Sequence, residues 1–268
     1  MTTLALEREN AATVSRPEPR PIPLTRIVGV ELRKMFDTRS GFWLMTSIGI
    51  LALLATAAVI VFAPESEQTY SSFATSIGFP MAVILPMVAI LSVTSEWTQR
   101  SGLSTFTLVP HRGRVITAKA ICAVGIGVVS MLLAMAIGAV GNIVGTAIAG
   151  TDTVWDASVA DLTMIIVANV LGLLVGFMLG VLIRNSPGAI VSYFVYSLLF
   201  PTVFGMLAAY QEWFRDLQGW IDFNYAQSAL FNGVPDGEQW AQIGTSGLIW
   251  LVAPMALGLW LLMRSEVK

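Results

Sequence analysis

Ser95 to Lys119 reads SEWTQRSGLSTFTLVPHRGRVITAK, a polar and basic island between two long apolar runs. It carries Glu96, Arg100, His111, Arg112, Arg114 and Lys119, whereas its flanks go many residues without a charge. Where such runs cross a membrane, the island becomes a loop on one side of it. It is long enough for a short helix, which Pro110 and Gly113 can end before the next run begins.

The surrounding composition supports crossing. The 268 residues are 55% hydrophobic and 12% charged, about half the charge of a soluble domain. The net charge of −2 says little, because the distribution of charge matters more than its sum. The single cysteine, Cys122, sits in an apolar run and reads as a small core residue. Residues 1–23 are polar and proline-rich, with no signal-peptide pattern, and read as a disordered tail.

Outward from the island the chain resolves into six apolar spans: 42–62, 77–94, 115–149, 162–183, 189–207 and 243–263. The expected fold class is therefore an all-α polytopic membrane protein. Before the first span, 24–38 reads as a basic amphipathic helix in the interface plane. Leu24, Ile27, Val28, Leu32, Met35 and Phe36 keep the helical period, and Arg26, Arg33, Lys34 and Asp37 lie mostly opposite. Span two is expected to kink or break near Pro80 and Pro86. Span three is unusually long, and Lys119 near its start can snorkel toward the surface. Gly172, Gly176 and Gly180 in span four stand four apart on one face, a small-residue stripe for packing within the chain or against another copy. The aromatic segment 208–242 reads equally as an interfacial helix or as a cap that buries its rings against protein.

Fourteen of the fifteen Lys and Arg residues fall on one side of this layout, and only Arg215 on the other. That asymmetry predicts that both termini, the short tail 264–268 and the basic island are cytoplasmic.

No catalytic constellation is present. His111 is the only histidine, which excludes a triad or a multi-histidine metal site within one chain. No GxxxxGK[ST] phosphate loop occurs. The spans are expected to hold no buried carboxylate or lysine of the kind that drives ion-coupled carriers. Asn142 and Asn169 are their clearest polar residues, candidates for a substrate path but more often bonded to a neighbouring helix. A polytopic protein with no energy source is either passive or driven by a partner, and the basic loop is the handle.

This pattern resembles the membrane subunit of type-2 ATP-binding-cassette (ABC) exporters. In that family an elbow helix with a Glu-x-x-Lys-like motif precedes span one; here it is Glu31-Leu32-Arg33-Lys34. The family's loop after span two runs from a Glu through a Gly to a Pro, then basic residues and a Lys. Here these are Glu96, Gly102, Pro110, Arg112 or Arg114, and Lys119; Leu103 and Ser104 stand where the family often has Thr. The turn Arg184 to Gly188 and an extracellular helical segment before span six also recur. The resemblance implies a half-transporter of the bacterial cytoplasmic membrane, pairing with a second permease subunit, alike or different. Two copies of a separate ATPase would dock below and bind the ATP and Mg; this chain would bind no cofactor, metal or nucleic acid. A coupling helix at about 98–108 would enter a groove of the ATPase, with Leu103 and Phe106 as apolar anchors and Arg100 and Arg112 as rim charges. Arg112 and Arg114 are read equally as ligands for anionic lipid headgroups. The expected cargo is hydrophobic or amphipathic. The alternatives are a sensory or immunity scaffold with the same fold, or an ion-coupled carrier or intramembrane enzyme.

Overall fold

With no water in hydrocarbon to take up backbone N–H and C=O groups, an apolar run of about 20 residues must satisfy its own backbone, and helices result. The computed structural model describes residues 22–98 and 112–264 and consists of helices and short connections, with no strand among the described residues. Among the described residues six helices are long and apolar enough to cross a membrane: Gly41–Phe62, Tyr70–Trp97, Gly113–Ala149, Val159–Ile183, Ser186–Tyr210 and Gly237–Arg264.

In chain order the elements are α1 (Leu24–Asp37), α2 (Arg39–Phe62), α3 (Tyr70–Thr98), α4 (Arg112–Ala149) and α5 (Val159–Ile183). Span five is α6 (Ser186–Phe194), a π-helical turn (Val195–Leu199) and α7 (Phe200–Tyr210). Two short helices follow, α8 (Glu212–Ile221) and α9 (Phe223–Ser228). Span six is α10 (Gly237–Gly247), a second π turn (Leu248–Val252) and α11 (Ala253–Arg264).

α3 is the axis of the bundle, with 67% of its most apolar window buried, against 22% for span one and 6% for span five. It begins at Tyr70 and runs unbroken through Pro80 and Pro86, so the break expected there does not occur. Pro86 has no N–H to offer the carbonyl of Ala82, one turn back. The Tyr193 hydroxyl, from α6, donates to that carbonyl at 2.7 Å instead. α5 lies closest to α3 on the same side. A Cβ on Gly176 would meet the Pro86 carbonyl oxygen at 2.7 Å, and one on Gly180 would meet the Ile90 oxygen at 3.3 Å. Gly176 and Gly180 of the stripe thus pack within the chain, against α3 at and just beyond its second proline.

The ends of α3, α4 and α5 on one side are fastened by the 150–158 loop. The Val154 carbonyl accepts from Tyr70 N at 3.2 Å and from Asn142 Nδ2 at 2.9 Å. Asp156 caps the start of α3, accepting from Ser71 N at 2.8 Å and Ser71 Oγ at 2.5 Å. Ser158 and Asp161 then form a capping box that starts α5.

The aromatic segment buries some of its large side chains against protein and exposes others. Phe214 and Phe223 are buried, while Trp213 and Leu217 of the same turns are exposed.

Candidate functional site

α1 is amphipathic, but its buried stripe carries a charge: its two buried residues are Ile27 and Glu31, four apart. Leu32 and Phe36 face outward. α1 lies along the first turns of α4 and is bonded to it repeatedly. Arg114 Nη2 donates to the Ile22 carbonyl at 2.6 Å, and the Cys122 thiol donates to the Val28 carbonyl at 3.4 Å. Between them, Lys119 Nζ reaches Glu31 Oε2 at 2.6 Å.

Around that pair stands a quartet of two acids and two bases. Lys34 Nζ lies 2.7 Å from Glu31 Oε1 and 3.6 Å from Glu96 Oε1; Lys119 Nζ lies 3.3 Å from Glu96 Oε1. Lys119 also donates to the Ser92 carbonyl of α3 at 2.9 Å. Glu31, Glu96 and Lys119 are each 3% exposed, and Lys34 closes the quartet on the solvent side. Glu96 accepts no hydrogen bond among the described residues, so its charge is answered by the two ammonium groups at longer range.

Burial by itself pushes the Glu31 carboxyl up, but the Lys119 ammonium and then Lys34 outweigh it and hold it below its ordinary value. Burial pulls Lys34 down, and Glu31 and then Glu96 more than restore it, holding it above its ordinary value. Both shifts favour the charged forms of Glu31 and Lys34. A buried pair of this kind is costly to break from one side, because the survivor is left charged and unsolvated.

Two expectations are corrected here. Lys119 does not snorkel outward; it turns inward to Glu31. The absence of buried carboxylates and lysines holds in the middle of the spans and fails at their ends, at Glu96 and Lys119. The periodic reading of α1 missed the inward placement of Glu31. The signal available was its shared stripe with Ile27 and Lys34.

The quartet brings together Glu31 and Lys34 of α1 with Glu96, near the end of α3, and Lys119, near the start of α4. Arg33 is exposed on the far side of α1. Arg112 is the first residue of α4. The proposed anchors Leu103 and Phe106, with Arg100, Gly102, His111 and Pro110, lie outside the described residues.

The remaining candidates lie apart from the quartet. Asn142 is fully buried and bonds the loop carbonyl of Val154. Asn169 bonds the Ile165 carbonyl of its own helix at 2.9 Å. Among the described residues these are the bonds the two amides make, and neither reaches a neighbouring helix. Gly172 touches the cap, its would-be Cβ 3.7 Å from Gln227 Nε2.

No protein-family model matches the chain, and a search of curated proteins gives no match. Among the described residues no group of three or more His, Cys, Asp or Glu side chains is placed to hold a metal ion.

Proposed function

We propose that this chain is the membrane-spanning permease subunit of a type-2 ABC exporter. It forms the path for a hydrophobic or amphipathic cargo and is driven by ATP hydrolysis on a separate subunit. The observation that carries the reading is the quartet. It fastens α1 to both stems of the basic loop, so a load applied to that loop by a docked partner reaches α1, α3 and α4 together. In this reading α1 is the elbow and the loop carries the coupling helix. Both termini are cytoplasmic, in a bacterial inner membrane. Two ATPase copies and a second permease subunit complete the assembly. The quartet balances two acids with two bases at the helix ends, which suits a mechanical joint better than an ion-carrying site in mid-membrane.

The test is co-purification with an ATPase subunit, followed by cargo-stimulated ATP hydrolysis in liposomes. Replacing Leu103 and Phe106 with Asp is expected to abolish ATPase capture while membrane insertion persists. Undiminished capture by that variant would defeat the assignment.

A further inference from the structure

The amides of Gln68 and Asn142 stand at one corner of the bundle, at the end of α4 away from the quartet. Asn142 Nδ2 donates to the Val154 carbonyl at 2.9 Å, the same carbonyl that takes Tyr70 N. Gln68, two residues before Tyr70, donates from Nε2 to the carbonyls of Ile60 and Ala63, both at 3.4 Å. These bonds settle which atom of each amide is the oxygen. Gln68 Oε1 and Asn142 Oδ1 are then buried with no hydrogen-bond partner among the described residues. Their residues are 6% and 0% exposed. Buried polar atoms normally find a partner, and here two acceptors go without one.

Both oxygens belong to one turn of α4. A Cβ on Gly145 would stand 2.9 Å from Gln68 Oε1, so that oxygen rests on the helix where glycine leaves room for it. Asn142 is three residues earlier, and helical positions three apart are neighbours, with Cβ atoms about 5–6 Å apart. Thr146 Oγ1, 1% exposed in its residue, donates to the Asn142 carbonyl at 2.7 Å and pairs with Thr153 Oγ1 at 2.9 Å. Hydroxyl lone pairs therefore lie on the same side of α4 as the Asn142 amide.

Orphan acceptors need a partner that brings donors or positive charge. Glu65 and Glu67 are exposed in the short turn before Gln68, and Asp152 and Asp156 are exposed in the loop that follows α4. No Lys or Arg occurs between Arg39 and Arg100, or between Lys119 and Arg184. The charge these segments contribute is negative, and it draws cations to the corner. Among the described residues no three carboxylates are placed to hold a metal ion, and carboxylates are what a divalent site is built from. Neutral amide and hydroxyl oxygens suit a hard monovalent cation, the class that rings of carbonyl oxygens hold in channels.

We propose that this corner binds one monovalent cation, of the sodium or potassium class, with Gln68 Oε1 and Asn142 Oδ1 as its fixed ligands. The threonine hydroxyls and water complete its shell. The ion ties the turn before α3, the last turns of α4 and the 150–158 loop to one another.

Thermal unfolding of the full chain in lipid nanodiscs tests the site, in sodium, potassium or choline chloride at one ionic strength. The melting temperature should rise saturably with sodium or potassium and stay flat with choline. Gln68→Leu should weaken the affinity for the ion by about ten- to a hundredfold, the factor that one bond to a charged partner carries. Glu65→Gln with Glu67→Gln, both at exposed positions, should weaken it by about two- to fivefold, and by less as ionic strength rises. Gln68→Glu puts a carboxylate in the same place and should tighten binding, a gain that a packing role would not give. Equal melting in all three salts would overturn the ion and leave a buried water as the partner of these oxygens. A response to calcium alone, or a sodium and potassium response unchanged in Gln68→Leu, would overturn it as well.

Discussion

Lys119 Nζ and Glu31 Oε2 meet at 2.6 Å although 88 residues separate them, and each residue is only 3% exposed. Removing Lys119 leaves Glu31 and Glu96 facing, among the described residues, a single ammonium, that of half-exposed Lys34. Lys119→Met should therefore destabilise by about 3–5 kcal/mol. The double variant Glu31→Gln with Lys119→Met should recover much of that loss, because no unpaired charge remains. Thermal unfolding in detergent, followed by tryptophan fluorescence, measures both. Equal melting of the single and double variants would show that the pair is not coupled.

The same quartet sets a pH window. Glu31 is held below its ordinary 4.5, so its contribution is complete above that value and is lost as pH falls through its lowered one. Lys34 is held above its ordinary 10.5, so its contribution is complete below that value and is lost only as pH rises past its raised one. Stability should be flat between roughly pH 5 and 10 as far as these groups decide it. In Lys119→Met the acid edge should move to higher pH, because the strongest pull on Glu31 is gone. Melting temperatures across pH 3 to 7, on the order of a few units either side of the carboxylate range, read that shift.

Six spans could be read from the sequence because hydrophobic runs need no partner to declare themselves. What joins the spans could not. Glu31 and Lys119 each look like surface charges in their own helix, and only the crossing of α1 with α4 makes them a pair. Pro86 reads as a break because the donor that repairs it, Tyr193, lies over a hundred residues away. Gly176 and Gly180 announced a close approach, but only the structure names α3 as the helix approached. The π turns leave a trace in Pro201 and Pro254, one proline just past each turn, but a proline alone does not announce a π turn.

The glycine stripe should respond unevenly. A Cβ at position 176 lands 2.7 Å from the Pro86 carbonyl oxygen, backbone that cannot step aside. Gly176→Ala should cost about 1–3 kcal/mol. Gly172→Ala, with its nearest neighbour at 3.7 Å, should be near neutral, and Gly180→Ala at 3.3 Å should fall between them. Melting of the three variants side by side checks the order, and a Gly172 effect as large as that of Gly176 would point to a second copy covering the stripe.

Asp156 ties its loop to α3. Burial nudges its carboxyl up, but the Ser71 hydroxyl and then the Ser71 amide hold it below its ordinary 3.8. The clasp should hold above that value and loosen as pH falls through the lowered one. Asp156→Asn should loosen it at all pH values. Hydrogen exchange at 70–73 and 151–158 reports both, and an unchanged pH response in the variant would remove Asp156 from the clasp.

The bond from Tyr193 to the Ala82 carbonyl allows a cleaner experiment, because its cause can be deleted. Tyr193→Phe leaves that carbonyl inside the bundle with no donor, since Pro86 supplies none. The loss should be about 0.5–2 kcal/mol, at the modest end for a bond between membrane helices. Pro86→Ala returns an N–H to α3, and the helix can then close its own bond from residue 86 to residue 82. In that background Tyr193→Phe should cost much less, because the hydroxyl is no longer the only donor. A double-mutant cycle on melting temperature isolates the coupling from the ring's packing, which is the same in both legs. If Tyr193→Phe costs as much with Ala at position 86 as with Pro, the hydroxyl is not what allows α3 to pass through its proline.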